Sequence, residues 1–156
     1  MSSTKQFEAV IRSWFEVFMT RSTEDFVRFL KQKELNNAQY GTLIRLYHSG
    51  QCGVSDIGVQ FGMTSAAASQ LVDKLVQQGL VERTESALDR RVRQLVLTDA
   101  GRALIRDSFD ARLGWALTLG EKLSAERRDA VVQALGDMIA AAKLLDQPLH
   151  PANTHA

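Results

Sequence analysis

The chain has 156 residues, 45% of them hydrophobic, and its 19 lysines and arginines nearly balance 18 aspartates and glutamates, leaving a net charge of +1. That length suits one domain with helical extensions, and near-neutrality excludes a bulk positive field, so any nucleic-acid site must be a local cluster of cations. A single cysteine, Cys52, excludes an intrachain disulfide and a cysteine-based metal cluster and points to a reducing compartment.

In chain order, Phe7, Val10, Ile11, Trp14, Phe15 and Phe18 recur at intervals of three and four, the spacing of an amphipathic helix. Lys5, Glu8, Arg12 and Glu16 interrupt this stretch, so a signal peptide is not expected. No run approaches the roughly 20 apolar residues of a membrane span, and a cytoplasmic protein is the expectation. Phe26, Phe29 and Leu30 continue the stripe beyond Ser22, which is compatible with one long helix or with a fresh start capped by Ser22. Asn36 with Gln39 forms an N-cap and its reciprocal partner for a helix carrying Tyr40, Leu43, Leu46 and Tyr47.

After the break at 49–53, two short helices are predicted. The first covers 55–61, with Ile57 and Phe61 inward, Gly62 as its stop and Gly58 leaving room for a close crossing. The second is capped by Thr64 and runs to Gln78, burying Ala68, Leu71, Val72 and Leu75, with Gly79 as a left-handed stop and Leu80 folding back onto Leu75. The period then shifts to two. Residues 80–84 and 92–97 read as strands joined by a charged tip over 85–91, a hairpin. Thr98 caps a helix with Ala103, Leu104, Phe109, Leu113, Ala116 and Leu117 on its apolar side. Ser124 caps the last helix, where Val131, Leu135, Met138, Ala142 and Leu145 share a face, and Pro148 ends it. The expected fold is mainly α with a small two-stranded β wing: a winged helix-turn-helix with long helices at both ends.

On the second short helix, Ser65, Ala66, Ala67, Ser69, Gln70 and Lys74 point outward. Small residues let the backbone approach base edges, Gln70 can pair bidentately with adenine, and the serines suit phosphates or bases. The same pattern also fits an ordinary solvated helix. The hairpin adds the stronger signal: Asp89, Arg90, Arg91 and Arg93 crowd its tip, with Arg83 on the opposite strand placed for a phosphate. Clustered guanidinium groups repel unless an anion is near, and a thin arginine-bearing wing fits a narrow minor groove. Double-stranded DNA is the partner this pattern suggests.

Residues 35–102 resemble the MarR family of transcriptional regulators. The matching pieces are LNNAQYGTL (35–43), GVSDIGVQFGMTSAAASQLVDKLVQQGLVER (53–83) and DRRVRQLVLTDAGR (89–102). The resemblance implies a homodimer on a pseudopalindrome, with helix 64–78 in the major groove, Arg91 in the minor groove, and half-sites about 10 bp apart. It divides the chain into an N-terminal helical dimerisation arm (1–35), a winged helix-turn-helix (36–98), C-terminal dimerisation helices (99–147) and a flexible tail (148–156). Phe7, Ile11, Trp14, Val131, Leu135, Met138, Ala142 and Leu145 are the expected dimer contacts. An uncovered stripe of Phe7, Ile11, Trp14 and Phe18 asks for a partner on physical grounds too. The chain departs from the family at Gln70, often arginine there, and in a wing tip that lacks proline or glycine; apolar Leu88 in that tip has no explanation.

The resemblance further implies repression relieved by a small effector such as an aromatic acid, for which Trp14, Phe18, Tyr40, Arg45, Tyr47 and His48 are candidates. The competing reading makes these aromatics core and leaves Arg45 and His48 as surface residues. Cys52, away from the first helix, is expected to be a buried thiol and not a redox sensor. His48, His150 and His155 have no carboxylates at ligand spacing, so neither metal nor cofactor is expected. No phosphate-binding glycine loop, nucleophile elbow or carboxylate–histidine grouping suggests an enzyme. The remaining alternative is a winged-helix module that docks on protein, which would have no need for Arg83, Arg90, Arg91 and Arg93 together.

Overall fold

The computed structural model describes residues 3–85 and 93–145; residues 86–91 of the expected tip, residue 92 of the expected second strand and the tail 148–156 lie outside the described residues. Ten elements follow in order: α1 (Ser3–Gln32), α2 (Asn37–Ser49), β1 (Gln51–Cys52), α3 (Val54–Phe61), α4 (Ser65–Gln77), β2 (Val81–Glu85), β3 (Arg93–Leu97), α5 (Asp99–Leu117), a 3-10 turn (Thr118–Lys122) and α6 (Ala125–Leu145). The chain divides into two units, one ending at Trp115 and one starting at Ala116.

In the first unit, α1 is a single helix of 30 residues. Ser22 does not start a new one: its side chain is fully buried, and Thr23 Oγ1 donates to the Met19 carbonyl at 2.6 Å, the i−4 bond of a helix interior. The stripe read from the sequence is continuous, but its two halves have different fates. Phe26, Phe29 and Leu30 are buried, whereas Phe7, Val10, Trp14 and Phe15 are 44–60% exposed. The capping box at the start of α2 forms as expected. Gln39 N donates to Asn36 Oδ1 and Asn36 N donates to Gln39 Oε1, both at 2.9 Å.

Three helices end in the same way. After α4, Leu80 N donates to Leu75 O at 3.0 Å and Gly79 N to Val76 O at 2.9 Å, with Gly79 at φ +69°. After α3, Met63 N donates to Gly58 O and Gly62 N to Val59 O, with Gly62 at φ +61°. After α1, Leu35 N donates to Leu30 O and Glu34 N to Lys31 O, with Glu34 at φ +53°. Each is a Schellman stop in which one left-handed residue reverses the chain, and after α1 and α4 the next residue turns back into the core. Leu35 and Leu80 are accordingly buried.

The expected two-stranded wing is a three-stranded antiparallel sheet in the order β1-β3-β2. β1 pairs Gln51 with Val96 and Cys52 with Leu95. The second pair aligns Val81 with Leu97 and extends to Glu85 opposite Arg93, so Glu85 belongs to the strand and not to the tip. The core joins Leu43, Leu46, Ile57, Val72, Leu75, Leu95 and Ile105, all fully buried, from α2, α3, α4, β3 and α5. A Cβ at Gly58 would sit 3.7 Å from Ala68 Cβ, an ordinary contact across the α3–α4 crossing, and 3.3 Å from the Met63 carbonyl oxygen, a tight one.

In the second unit, Ser124 caps α6 by accepting from Arg127 N at 3.4 Å, and Arg128 Nη1 donates to the Gly120 carbonyl at 3.1 Å. No residue of α6 is buried. Among the described residues, no helix is long and apolar enough to cross a membrane.

Candidate nucleic-acid interface

Helix α4 is built to present one face. Thr64 caps it, with Oγ1 accepting from Ala67 N at 3.3 Å, and satisfies an amide that the helix cannot. Ala68, Val72 and Leu75 anchor the opposite face at zero exposure. Ser65, Ala66, Ala67, Gln70 and Lys74 are all exposed, and Ser69 is half-buried at the edge of the core. Near the start of the helix this face carries nothing larger than a serine, so a groove wall can come close to the backbone there.

The sheet is tied to the end of α4 through one hydroxyl. Thr98 Oγ1 donates to the Gly79 carbonyl at 2.6 Å and accepts from Gly101 N at 3.0 Å, while Thr98 N donates to Leu80 O at 3.2 Å. The left-handed turn after α4, the end of β3 and the first turn of α5 are thus one hydrogen-bonded corner. Strands β2 and β3 leave that corner next to α4. Asp89, Arg90 and Arg91, between these strands in sequence, fall outside the described residues, and Arg93 opens β3.

Arg83, which the sequence placed for a phosphate, has an acidic partner on α4. Its Nη2 lies 2.6 Å from Asp73 Oδ1 on α4, with one-third of the arginine side chain and one-half of the aspartate side chain exposed. Sequence reasoning missed Asp73. It is one more polar residue on an outward face, and its partner is ten residues away across a turn, where no helical or strand periodicity links them.

The effector candidates fall in three neighbourhoods instead of one crevice. Trp14 and Phe18 of α1 pack near Trp115, with ring centroids 5.9 and 6.0 Å from it. Tyr40 bonds to Ser108 Oγ at 2.9 Å and meets the edge of Phe26 at 4.8 Å, while Tyr47 meets Phe109 at 6.1 Å and His48 at 5.5 Å. Arg45 points to α3, where Nη1 donates to Gln60 Oε1 at 2.9 Å. Tyr40 joins the core, and Tyr47 and His48 remain exposed.

Cys52 is buried in β1, and burial raises its thiol above the ordinary value, against an opposing pull from the Arg45 guanidinium. A thiol held protonated is a poor nucleophile, as expected of a packing residue. Among the described residues, no group of three or more histidines, cysteines or carboxylates could hold a metal ion. Of the expected dimer contacts, Phe7, Trp14, Val131, Leu135, Met138 and Leu145 are 39–75% exposed in the single chain. Ala142 is also exposed and Ile11 is half-covered.

A family model described as the MarR family matches residues 34–92. Over 90 residues the chain is 33% identical to the HTH-type transcriptional regulator MhqR of Bacillus subtilis, a match spanning 57% of this chain and 62% of that protein. Among solved structures, the transcriptional regulator Tm0710 of Thermotoga maritima superposes with a TM-score of 0.72 at 21% identity, covering 89% of this chain and 95% of that one. The S. aureus MepR–DNA complex superposes with a TM-score of 0.59 at 24% identity, covering 82% and 96%. The matched segment takes in the capped α4, its Schellman stop and the strand leading into the wing, and the superpositions show the same fold: over residues 34–92 this chain is similar to the MarR family.

Proposed function

We propose that the chain is a sequence-specific DNA-binding transcriptional regulator that acts as a homodimer on a pseudopalindromic operator, as a repressor released by a small ligand. In this reading α4 enters the major groove and the β2–β3 wing reaches the adjacent minor groove. The observation that carries it is the face of α4: small near its start, continued by Gln70 and Lys74, and fixed by a cap, a buried opposite side and a defined stop. A groove-reading helix needs each of these, because base contacts require a backbone held within a fraction of an ångström. MepR, whose fold this chain shares, is bound to DNA in one of the structures described above.

The uncovered apolar half of α1 and the uncovered α6 support the dimer, and two-fold symmetry then matches two wings to two half-sites. As a repressor, the dimer would block polymerase at the operator it covers. An aromatic acid is the proposed effector class, with exposed Trp14 and its neighbour Phe18 on α1 the remaining lining candidates. A ligand favouring one spacing of the two α4 helices would shift affinity by its differential binding to the two states.

The test uses the full chain with operator fragments selected from genomic DNA. Binding should weaken linearly in log affinity with log salt, as phosphate neutralisation requires. Arg91→Ala should leave the oligomeric state intact and cost about 1–3 kcal/mol in operator binding. Equal affinity of parent and variant at equal salt overturns the wing assignment, and absence of salt-dependent binding by the parent overturns the whole reading.

A further inference from the structure

We infer that Asp73 is a specificity-determining residue that withholds Arg83 from the DNA backbone; the inference rests on the DNA-binding reading above. The geometry is a clamp between the two elements that would face the duplex. Asp73 lies on the exposed side of α4, three residues after Gln70 and next to Lys74, and Arg83 lies on β2 opposite Leu95. The 2.6 Å contact between Asp73 Oδ1 and Arg83 Nη2 is the shorter of the two ion pairs among the described residues.

The chemistry follows from what each partner would do alone. A free arginine beside a duplex takes any phosphate and releases counterions whatever the sequence, so it strengthens specific and non-specific binding alike. An aspartate beside a duplex repels both. Paired, the two groups cancel, and the sequence-independent share of the affinity falls while contacts from Ser65, Ala66, Ala67 and Gln70 to base edges are untouched. What matters to a regulator is the ratio of specific to non-specific affinity, because non-specific sites vastly outnumber operators. The clamp raises that ratio at the expense of absolute affinity. It also joins the last turns of α4 to the wing strand, so that the two elements meet DNA at a set angle.

The experiment compares the full chain with Asp73→Asn, Arg83→Gln and the double variant, on a selected operator fragment and on a random-sequence duplex of equal length. Asparagine keeps the shape of aspartate, and an exposed pair contributes little to stability, so the folds are expected to persist and are checked by thermal unfolding. Asp73→Asn should bind random DNA several-fold more tightly, with a log–log salt slope steeper by about one, the signature of one newly engaged phosphate. Its operator-to-random ratio should fall. Arg83→Gln alone should leave the slope unchanged, and in the double variant the gain from Asp73→Asn should shrink to the loss of aspartate repulsion alone. If Arg83→Gln flattens the slope by about one, Arg83 already holds a phosphate and the inference is overturned. Unchanged random-DNA binding by Asp73→Asn overturns it as well. If the parent binds no duplex, the DNA-binding reading itself fails.

Discussion

A methyl group added at Gly101 would overlap the carbonyl oxygen of Leu80 and sit 3.0 Å from Leu97 Cδ2. The obstacle is backbone, and that backbone is immobilised because Leu80 O also accepts from Thr98 N. Gly101→Ala should therefore destabilise the fold by about 2 kcal/mol or more, an overpacking cost that outweighs the better helix propensity of alanine. Chemical denaturation measures this directly, and an alanine variant as stable as the parent would show that the corner between α4, β3 and α5 gives way freely. In the sequence, Gly101 was visible as part of the stretch that resembles the MarR family, but its contact with Leu80 was not. That contact joins residues 21 positions apart through a turn, and no local pattern encodes it. The Asp73–Arg83 pair was hidden for the same reason. The caps at Asn36, Thr64, Thr98 and Ser124 were legible because a cap is a local event, decided within four residues.

At the scale of elements, the helix stops show which signals sequence carries well. Gly62 and Gly79 announce their left-handed turns, since glycine adopts positive φ without a Cβ clash. Glu34 makes the same turn with the same hydrogen bonds and announces nothing, because glutamate is a helix former that ordinarily continues the helix. Tertiary packing overrides that preference by burying Leu35, the residue that follows the turn. Left-handed backbone costs a non-glycine residue roughly 1–2 kcal/mol, and glycine returns part of that gain through the entropy of its unfolded chain. Glu34→Gly should then stabilise the protein by about 0.5–1 kcal/mol, seen as a rise in Tm, whereas a drop would mean that the glutamate side chain contributes more than its backbone strain costs. Element length explains the other miss. Strand β1 has two residues, too few for an alternating pattern, and only its pairing with Val96 and Leu95 reveals it. Of the two readings left open at Ser22, the single long helix is the one observed, because the apolar stripe continues in phase across it.

For the whole molecule, the question is what covers the apolar surface the chain does not cover itself. On α1, Phe7, Val10, Trp14, Phe15 and Val17 are 44–60% exposed. On α6, Val132, Ile139, Leu144 and Leu145 are 57–83% exposed, while Val131, Leu135 and Met138 are 39–47% exposed. A helix with an apolar face gains most of its stability by packing that face, and α6 has no buried residue of its own. Patches of this kind mark interfaces. In the proposed two-fold dimer each copy would cover the other, and there a charge at the centre of the α6 face would enter a desolvated contact twice. Leu135→Glu should abolish the dimer, giving protein of monomer mass by light scattering or a chain that unfolds at lower temperature. The parent should melt at a temperature that rises with its concentration, because association stabilises only the folded state, and the variant should lose that dependence. Operator binding should collapse together with the dimer, since one wing reads only one half-site. A Leu135→Glu chain that remains a folded dimer with parental melting behaviour would remove α6 from the interface and leave the α1 stripe as the surface to test next.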